Sequence, residues 1–133
     1  MPAIQRTRAD VELRLPADSA YVSVLRTTTA GLAARLDFPI DDIEDLRIAV
    51  GEASAMVLPE AAEDTDLTCS FYMSPTSLTV EVAVESATPV QPDYESFTWQ
   101  VLSTLATNAE ADSSDGRFSV RLSMEPGEPG FGP

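Results

Sequence analysis

The residue types that usually carry out catalysis are scarce in this sequence of 133 residues, which contains no histidine and a single cysteine, Cys69. All eight basic residues are arginine, so lysine is absent as well. The sequence therefore cannot supply a Ser-His-Asp triad, a His-paired cysteine nucleophile, a Schiff-base lysine or a P-loop lysine. A lone cysteine forms neither an intrachain disulfide nor a thiolate metal site, which favours a reducing, cytoplasmic setting. Because Cys69 alternates with Leu67 and Phe71, we expect it to be a buried, inert strand residue.

Acidic residues dominate the charge of the sequence, with 22 acidic against 8 basic side chains and a net charge of −14. A potential this negative repels phosphate backbones and anionic membranes, so we expect no direct contact with nucleic acid or membrane and favour a basic protein partner. No stretch approaches the ~20 apolar residues of a membrane span. The first eight positions carry charge without an apolar segment behind them, so we expect neither export by a signal peptide nor an anchor.

The spacing of apolar residues predicts seven elements within one domain. Alternation predicts strands, and recurrence every three to four residues predicts helices. The elements, in chain order, are a strand over 11–15, a helix from 18 or 19 to about 36, a helix from Asp41 closed by Pro59, strands over 67–73 and 78–84, a helix starting near 97, and a strand over 118–124.

This order, β-α-α-β-β-α-β, predicts an α/β two-layer sandwich. Each predicted strand has one apolar face, so we expect a four-stranded sheet with three helices on one side and a free face on the other. The buried stripe of the third helix is predicted to hold Phe97, Val101, Leu102 and Leu105. We expect an N-terminal tail over 1–8, a domain over 9–125, and a mobile Pro/Gly-rich tail over 126–133.

Two segments carry a resemblance to a known family. Positions 15–61, LPADSAYVSVLRTTTAGLAARLDFPIDDIEDLRIAVGEASAMVLPEA, resemble the anti-sigma factors of the RsbW type, within the histidine-kinase-like ATPase superfamily. Positions 97–106, FTWQVLSTLA, look like the third helix of the actinobacterial branch called UsfX. The resemblance covers roughly positions 9–124 and implies the histidine-kinase-like ATPase fold, with the same order of elements.

The second helix of that family carries an E-x-x-x-N box, in which the Glu is the general base on a partner's serine and the Asn holds magnesium. Here the box reads Glu52-Ala-Ser-Ala-Met56. Glu52 matches the base, but Met56 offers a thioether where magnesium needs a hard oxygen. We therefore interpret Glu52 as a relic general base and expect no metal site.

The family's glycine-rich nucleotide motifs are also altered. The D-x-G-x-G segment expected after the fifth predicted element corresponds to Glu85-Ser86-Ala87, so the acid changes type and the glycines are missing. The turn at 92–96, expected to cradle phosphate before the third helix, has no glycine and two acids. We expect no ATP or magnesium cofactor and no kinase activity, with the degenerate positions at Met56, Glu85 and Ala87.

The protein-binding surface of the family has counterparts in this sequence. The family's first helix presents an arginine to a sigma factor, and the matching position is Arg26. Asp41, Asp42, Glu44 and Asp45 cluster where the same surface would lie. The resemblance implies an anti-sigma factor that sequesters a sigma factor, is countered by an anti-anti-sigma factor, and forms a homodimer. Two alternatives stay open: an active serine protein kinase that phosphorylates its antagonist, and a scaffold whose partner is not a sigma factor.

Overall fold

The computed structural model describes residues 8–87 and 90–127, which form three α-helices and a five-stranded sheet. In chain order the elements are β1 Val11–Pro16, α1 Val22–Arg35, α2 Ile40–Val57, β2 Asp66–Ser74, β3 Ser77–Glu85, α3 Phe97–Leu105, β4 Asn108–Ser114 and β5 Arg117–Met124. Short 3-10 turns precede α1 at Ser19–Tyr21 and follow α2 at Leu58–Glu60.

The sheet is antiparallel throughout, in the order β1-β2-β3-β5-β4. Strand alternation turns one side of every strand toward the helices, and the rows Cys69–Val82–Val120 and Phe71–Val80–Leu122 run across that buried face. The opposite, outer face is largely polar, with the row Ser70–Glu81–Arg121. The predicted two-layer arrangement, with helices against a single face, is confirmed.

The predicted four-stranded sheet is wrong, because β4 adds a fifth strand at one edge. Among the described residues this strand pairs only with β5. Its inward positions are Ala109, Ala111 and Ser113, which give it a weak apolar signal. Asp115 and Gly116 join it to β5 with φ values of 55° and 72°. Two consecutive left-handed residues form a type I′ turn, which connects adjacent antiparallel strands.

In the helix layer, α2 lies between α1 and α3 and contacts both. Helix α1 ends where Asp37 takes a left-handed φ of 61°, which lets the Phe38 N–H donate to the Ala33 carbonyl at 3.1 Å. Helix α2 begins one residue before the predicted start, and no side chain caps it. Asp41 and Asp42 instead occupy its first turn, where a negative charge interacts favourably with the positive end of the helix dipole.

The predicted buried stripe of α3 is wrong at Phe97, whose exposed fraction is 78%. Leu102 is the fully buried residue of this helix, while Val101 and Leu105 are half-buried. At 3.6 residues per turn, five positions place Phe97 about 140° around the helix from Leu102. Phe97 therefore points away from the sheet.

Near the C-terminus, the Gly127 N–H donates to Asp42 Oδ2 at 2.6 Å, which ties the described end of the chain to α2. The rest of the predicted tail, over 128–133, and most of the predicted N-terminal tail lie outside the described residues. Within the described ranges, every helix is too short or too polar to cross a bilayer.

Candidate functional site

Glu52 and Met56 lie one turn apart on α2 and so project from the same side of the helix. Both are half-buried, and Met56 packs against the hydrophobic core. The Glu52 carboxylate makes no hydrogen bond or ion pair with any described residue, so it is available to accept a proton. The Met56 thioether is a soft, weak ligand beside this carboxylate, whereas magnesium prefers oxygen. Among residues 8–87 and 90–127, no three His, Cys, Asp or Glu side chains are grouped to hold a metal ion.

The segment after β3 is fixed by backbone hydrogen bonds on both sides. The Glu85 carbonyl accepts from the Ala62 N–H at 2.8 Å, and the Ser86 N–H donates to the Gly116 carbonyl at 2.8 Å. Ser86 is buried, whereas Glu85 and Ala87 are exposed. This segment is therefore fixed both to the loop after α2 and to the turn between β4 and β5.

The N-terminus of α3 is closed by side chains of the chain itself. Ser96 Oγ accepts from the Trp99 N–H at 3.1 Å, which is an N-cap hydrogen bond. Asp93 Oδ1 accepts from the Glu95 N–H at 3.0 Å, and the Asp93 carbonyl accepts from the Ser96 N–H at 3.3 Å. Backbone N–H groups at a helix start are the donors that bind phosphate in nucleotide sites. Here the N–H of Trp99 already has an acceptor, as do the N–H groups of Glu95 and Ser96 in the turn before the helix.

Aromatic contacts fix the same turn against the sheet edge. The Tyr94 and Trp99 rings meet edge to face, with centroids 5.0 Å apart and an interplanar angle of 77°. The Tyr94 hydroxyl donates to the Ala111 carbonyl of β4 at 3.3 Å. The turn before α3 is thus held both to its own helix and to β4.

Arg26 is exposed on α1, and its guanidinium lies over Gly51 of α2. It forms no ion pair with any carboxylate of the described residues. Gly51 directly precedes Glu52, so the fold brings Arg26 beside the residue that sequence analysis identified as the relic base.

The predicted acidic cluster on α2 is divided by the structure. Asp41 and Glu44 are exposed, and Glu44 lies 3.8 Å from Arg47. Asp42 is half-buried and accepts the hydrogen bond from Gly127, while Asp45 is half-buried. Glu44 precedes Gly51 by seven residues, or about 10 Å along the helix. The acids and Arg26 therefore occupy different stretches of the α1–α2 surface.

Cys69 lies on β2 and is fully buried in the core. Burial raises the pKa of its thiol from 9.0 to about 12, because the thiolate would lose its hydration. The thiol is therefore protonated at neutral pH and inert as a nucleophile. This agrees with the sequence interpretation of a structural cysteine.

Two features of this region were not predicted from the sequence. The first is the closure of the α3 start by Asp93 and Ser96; the residue types are typical of caps, but the side-chain acceptors become evident only with the backbone in place. The second is Gly51, whose signal was a glycine in the middle of an 18-residue helix, where glycine is unfavourable.

Parts of this chain are similar to known proteins. No protein-family model matches the chain. The serine-protein kinase RsbW of Bacillus cereus (strain ATCC 10987 / NRS 248) is 36% identical over 75 residues, which cover 55% of this chain and 47% of that protein. The serine-protein kinase RsbW of Bacillus thuringiensis (strain Al Hakam) is 41% identical over 54 residues, covering 41% of this chain and 34% of that protein. RsbW of Bacillus anthracis (strain CDC 684 / NRRL 3495) matches with the same figures.

The matches with these curated relatives span about half of their length or less. Identity at this level over 54 to 75 residues supports the resemblance stated from positions 15–61. Over the segment that they match, the chain is a homologue of the RsbW-type serine-protein kinases.

Proposed function

We propose that this protein is a non-catalytic anti-sigma factor, which sequesters a sigma factor in the cytoplasm without binding ATP. An anti-anti-sigma factor would compete for the anti-sigma factor and so release the sigma factor. The affinities and amounts of the two partners would then govern the exchange. The single observation that carries the loss of ATP binding is the closed N-terminus of α3.

Phosphate binding at α3 would require the helix start to give up its own hydrogen bonds. Ser96 Oγ and Asp93 Oδ1 accept from the N–H groups of Trp99 and Glu95 at 3.1 and 3.0 Å. A phosphate at these two N–H groups would have to displace both acceptors, and anywhere along this turn it would meet the exposed carboxylates of Asp93 and Glu95. Like charges oppose that exchange, so the turn disfavours a nucleotide.

The part of the site on α2, where the family holds magnesium, is equally unsuited to that ion. Met56 stands where the family's box has an oxygen ligand, and it packs against the core. Magnesium demands near-ideal octahedral coordination by oxygen, which a thioether cannot supply. A nucleotide would thus lack both its phosphate donors and its metal bridge.

The surface that remains is suited to binding a protein. Arg26 is exposed and has no acidic partner among the described residues, so its guanidinium is available for a bidentate pair with a carboxylate. The net charge of −14 favours encounter with a basic protein, such as the nucleic-acid-facing surfaces of a sigma factor. Asp41 and Glu44, both exposed on a separate stretch of α2, would supply the acidic contacts to such a partner.

A second candidate function is an ATP-dependent serine protein kinase that phosphorylates its anti-anti-sigma antagonist. Two observations favour it: Glu52 is retained with no hydrogen-bond partner among the described residues, and the relatives are named serine-protein kinases. This candidate requires another residue to hold magnesium in place of Met56.

Binding of a sigma factor is tested by calorimetry with each purified sigma factor of the source organism in turn. We expect one of them to bind with a Kd below about 1 μM, equivalent to about −8 kcal/mol. If none of them binds, the proposal is contradicted and the scaffold with a different partner becomes the better account.

The kinase candidate is tested with purified anti-anti-sigma protein, Mg-ATP and mass spectrometry of the product. We expect no phosphoserine. Phosphoserine that forms with the wild-type chain and with the control Glu63→Ala, but not with Glu52→Ala, would establish the second candidate.

A further inference from the structure

Two helical glycines of this chain have different surroundings. A Cβ added to Gly31, on α1, would meet no heavy atom within 4 Å. A Cβ added to Gly51, on α2, would lie 2.7 Å from Nη2, 2.9 Å from Nε and 3.2 Å from Cζ of Arg26. Side-chain carbons do not approach other atoms this closely, so any side chain at position 51 would displace the guanidinium.

The position of Gly51 makes its residue type informative. It lies in the interior of the 18-residue helix α2, where glycine lowers helix stability relative to alanine. Its φ is not in the left-handed region, so the backbone there does not require glycine. A methyl group at position 51 would instead require the Arg26 guanidinium, the far end of a flexible side chain, to move away.

Within residues 8–87 and 90–127, no hydrogen bond or ion pair fixes the charged end of Arg26. The residue is exposed, and its guanidinium forms no ion pair with the described residues. An arginine free in solvent loses much rotamer entropy when a partner binds it. A guanidinium that stayed over Gly51 in the free chain would lose less of that freedom when the partner arrives.

We propose that Gly51 is a positioning residue, whose missing side chain forms a seat that holds the Arg26 guanidinium in place to pair with a carboxylate of the sigma factor. This inference rests on the proposed function for its partner. The seat itself, formed by Gly51 and Arg26, is a property of the free chain and can be tested there.

The first experiment measures the order of the Arg26 side chain by 15N relaxation of its Nε–Hε group in the free protein. The resonance is assigned by its loss in Arg26→Lys. We expect a clear fall in its order parameter in Gly51→Ala and no change in the matched variant Gly31→Ala. An order parameter that is unchanged in Gly51→Ala would overturn the seat.

The second experiment measures binding of the sigma factor that the wild-type chain captures. A charge-assisted hydrogen bond contributes enough that its loss weakens binding about tenfold or more. We expect Gly51→Ala to weaken sigma-factor binding by up to this factor and Gly31→Ala to leave the affinity unchanged. In a chain that already carries Arg26→Ala, we expect Gly51→Ala to cause no further loss of affinity. Equal weakening by Gly51→Ala with and without Arg26 would contradict an action through Arg26.

The two failures are distinguishable. If no sigma factor binds the wild-type chain, the proposed function fails together with the assigned partner, and the relaxation measurement alone decides whether the seat exists. If Arg26→Ala weakens binding but Gly51→Ala does not, the proposed function stands and the positioning role is overturned.

Discussion

Arg26 is exposed, and we expect it to contribute little to the stability of the fold. It has no ion pair among the described residues, and surface substitutions of this kind usually change the free energy of unfolding by no more than about 0.5 kcal/mol. We predict that Arg26→Glu leaves the urea midpoint nearly unchanged and weakens sigma-factor binding at least about tenfold, because a carboxylate would repel the partner's carboxylate.

The control for Arg26→Glu is Arg14→Glu, which changes the net charge equally but lies on the outer face of the sheet. Binding that weakens equally in both variants would assign the effect to overall charge. A lower urea midpoint in Arg26→Glu but not in Arg14→Glu would show that Arg26 contributes to the stability of the fold.

The buried thiol of Cys69 predicts a loss of stability at high pH. Its pKa is about 12 in the folded chain, so the unfolded chain gives up the thiol proton first as the pH rises. The stabilising contribution of the neutral thiol is complete below pH 9 and is lost between about pH 9 and pH 12, with a slope of at most about 1.4 kcal/mol per pH unit. Urea unfolding at pH 8, 9 and 10 measures this loss.

The matched variant for this measurement is Cys69→Ala, which removes the titrating group and creates a small cavity. Its stability is expected to be lower at pH 8 and to fall less steeply above pH 9 than that of the wild type. Parallel pH profiles for the two proteins would contradict the account of Cys69.

At the scale of residues, the sequence predicted the inert Cys69, because a cysteine alternating with Leu67 and Phe71 must face the core. It could not predict that Arg26 lies over Gly51. These residues are far apart in the chain, and their approach depends on how α1 packs against α2. The hydrogen bonds of Asp93 and Ser96 likewise depend on side-chain rotamers.

At the scale of elements, α3 depends on its N-cap. The helix has only nine residues, and Ser96 Oγ satisfies the Trp99 N–H. We predict that Ser96→Ala lowers the free energy of unfolding by about 1 kcal/mol, the usual cost of losing such a cap. Urea unfolding followed by Trp99 fluorescence measures it directly.

Ser103→Ala is the control on the same helix. Its hydroxyl bonds back to the Trp99 and Gln100 carbonyls, an arrangement that adds little to helix stability. We expect no loss in this variant, since alanine is the better helix former. Equal losses in both variants would contradict the capping role of Ser96.

The elements with strong periodicity were predicted from sequence, and the weak one was missed. Strand β4 reads Asn-Ala-Glu-Ala-Asp-Ser-Ser and presents Ala109, Ala111 and Ser113 to the core, so its alternation carries little apolar contrast. Asp115-Gly116 is a typical two-residue hairpin turn, and such a turn also requires a strand before it. Phe97 was assigned to the core because it is apolar, although its angle around α3 excludes it.

At the scale of the whole molecule, the outer face of the sheet is the broadest surface without a covering layer among the described residues. It is polar and carries Arg14, Arg117 and Arg121 beside several carboxylates. We predict a homodimer in solution, and this face or the β1 edge is where a second copy would pack. Sedimentation velocity measures the mass.

Two variants separate the surfaces. Thr79 projects from the outer face of the central strand β3, so Thr79→Arg is expected to dissociate a dimer formed by that face. The control is Gln100→Arg, at an exposed position of α3 away from the sheet, and this variant should remain dimeric. A wild-type chain that sediments only as a monomer at working concentration would contradict the homodimer.

The central claim for the whole molecule is that an RsbW-type fold has kept its protein surface and lost its nucleotide. Titration of Mg-ATP into the purified chain by calorimetry tests this most directly, with the Bacillus thuringiensis RsbW kinase as the positive control. The account predicts no heat of binding from this chain, because the α3 start is closed and Met56 offers no oxygen to the metal. Saturable binding of Mg-ATP that is lost in Glu52→Ala would contradict it.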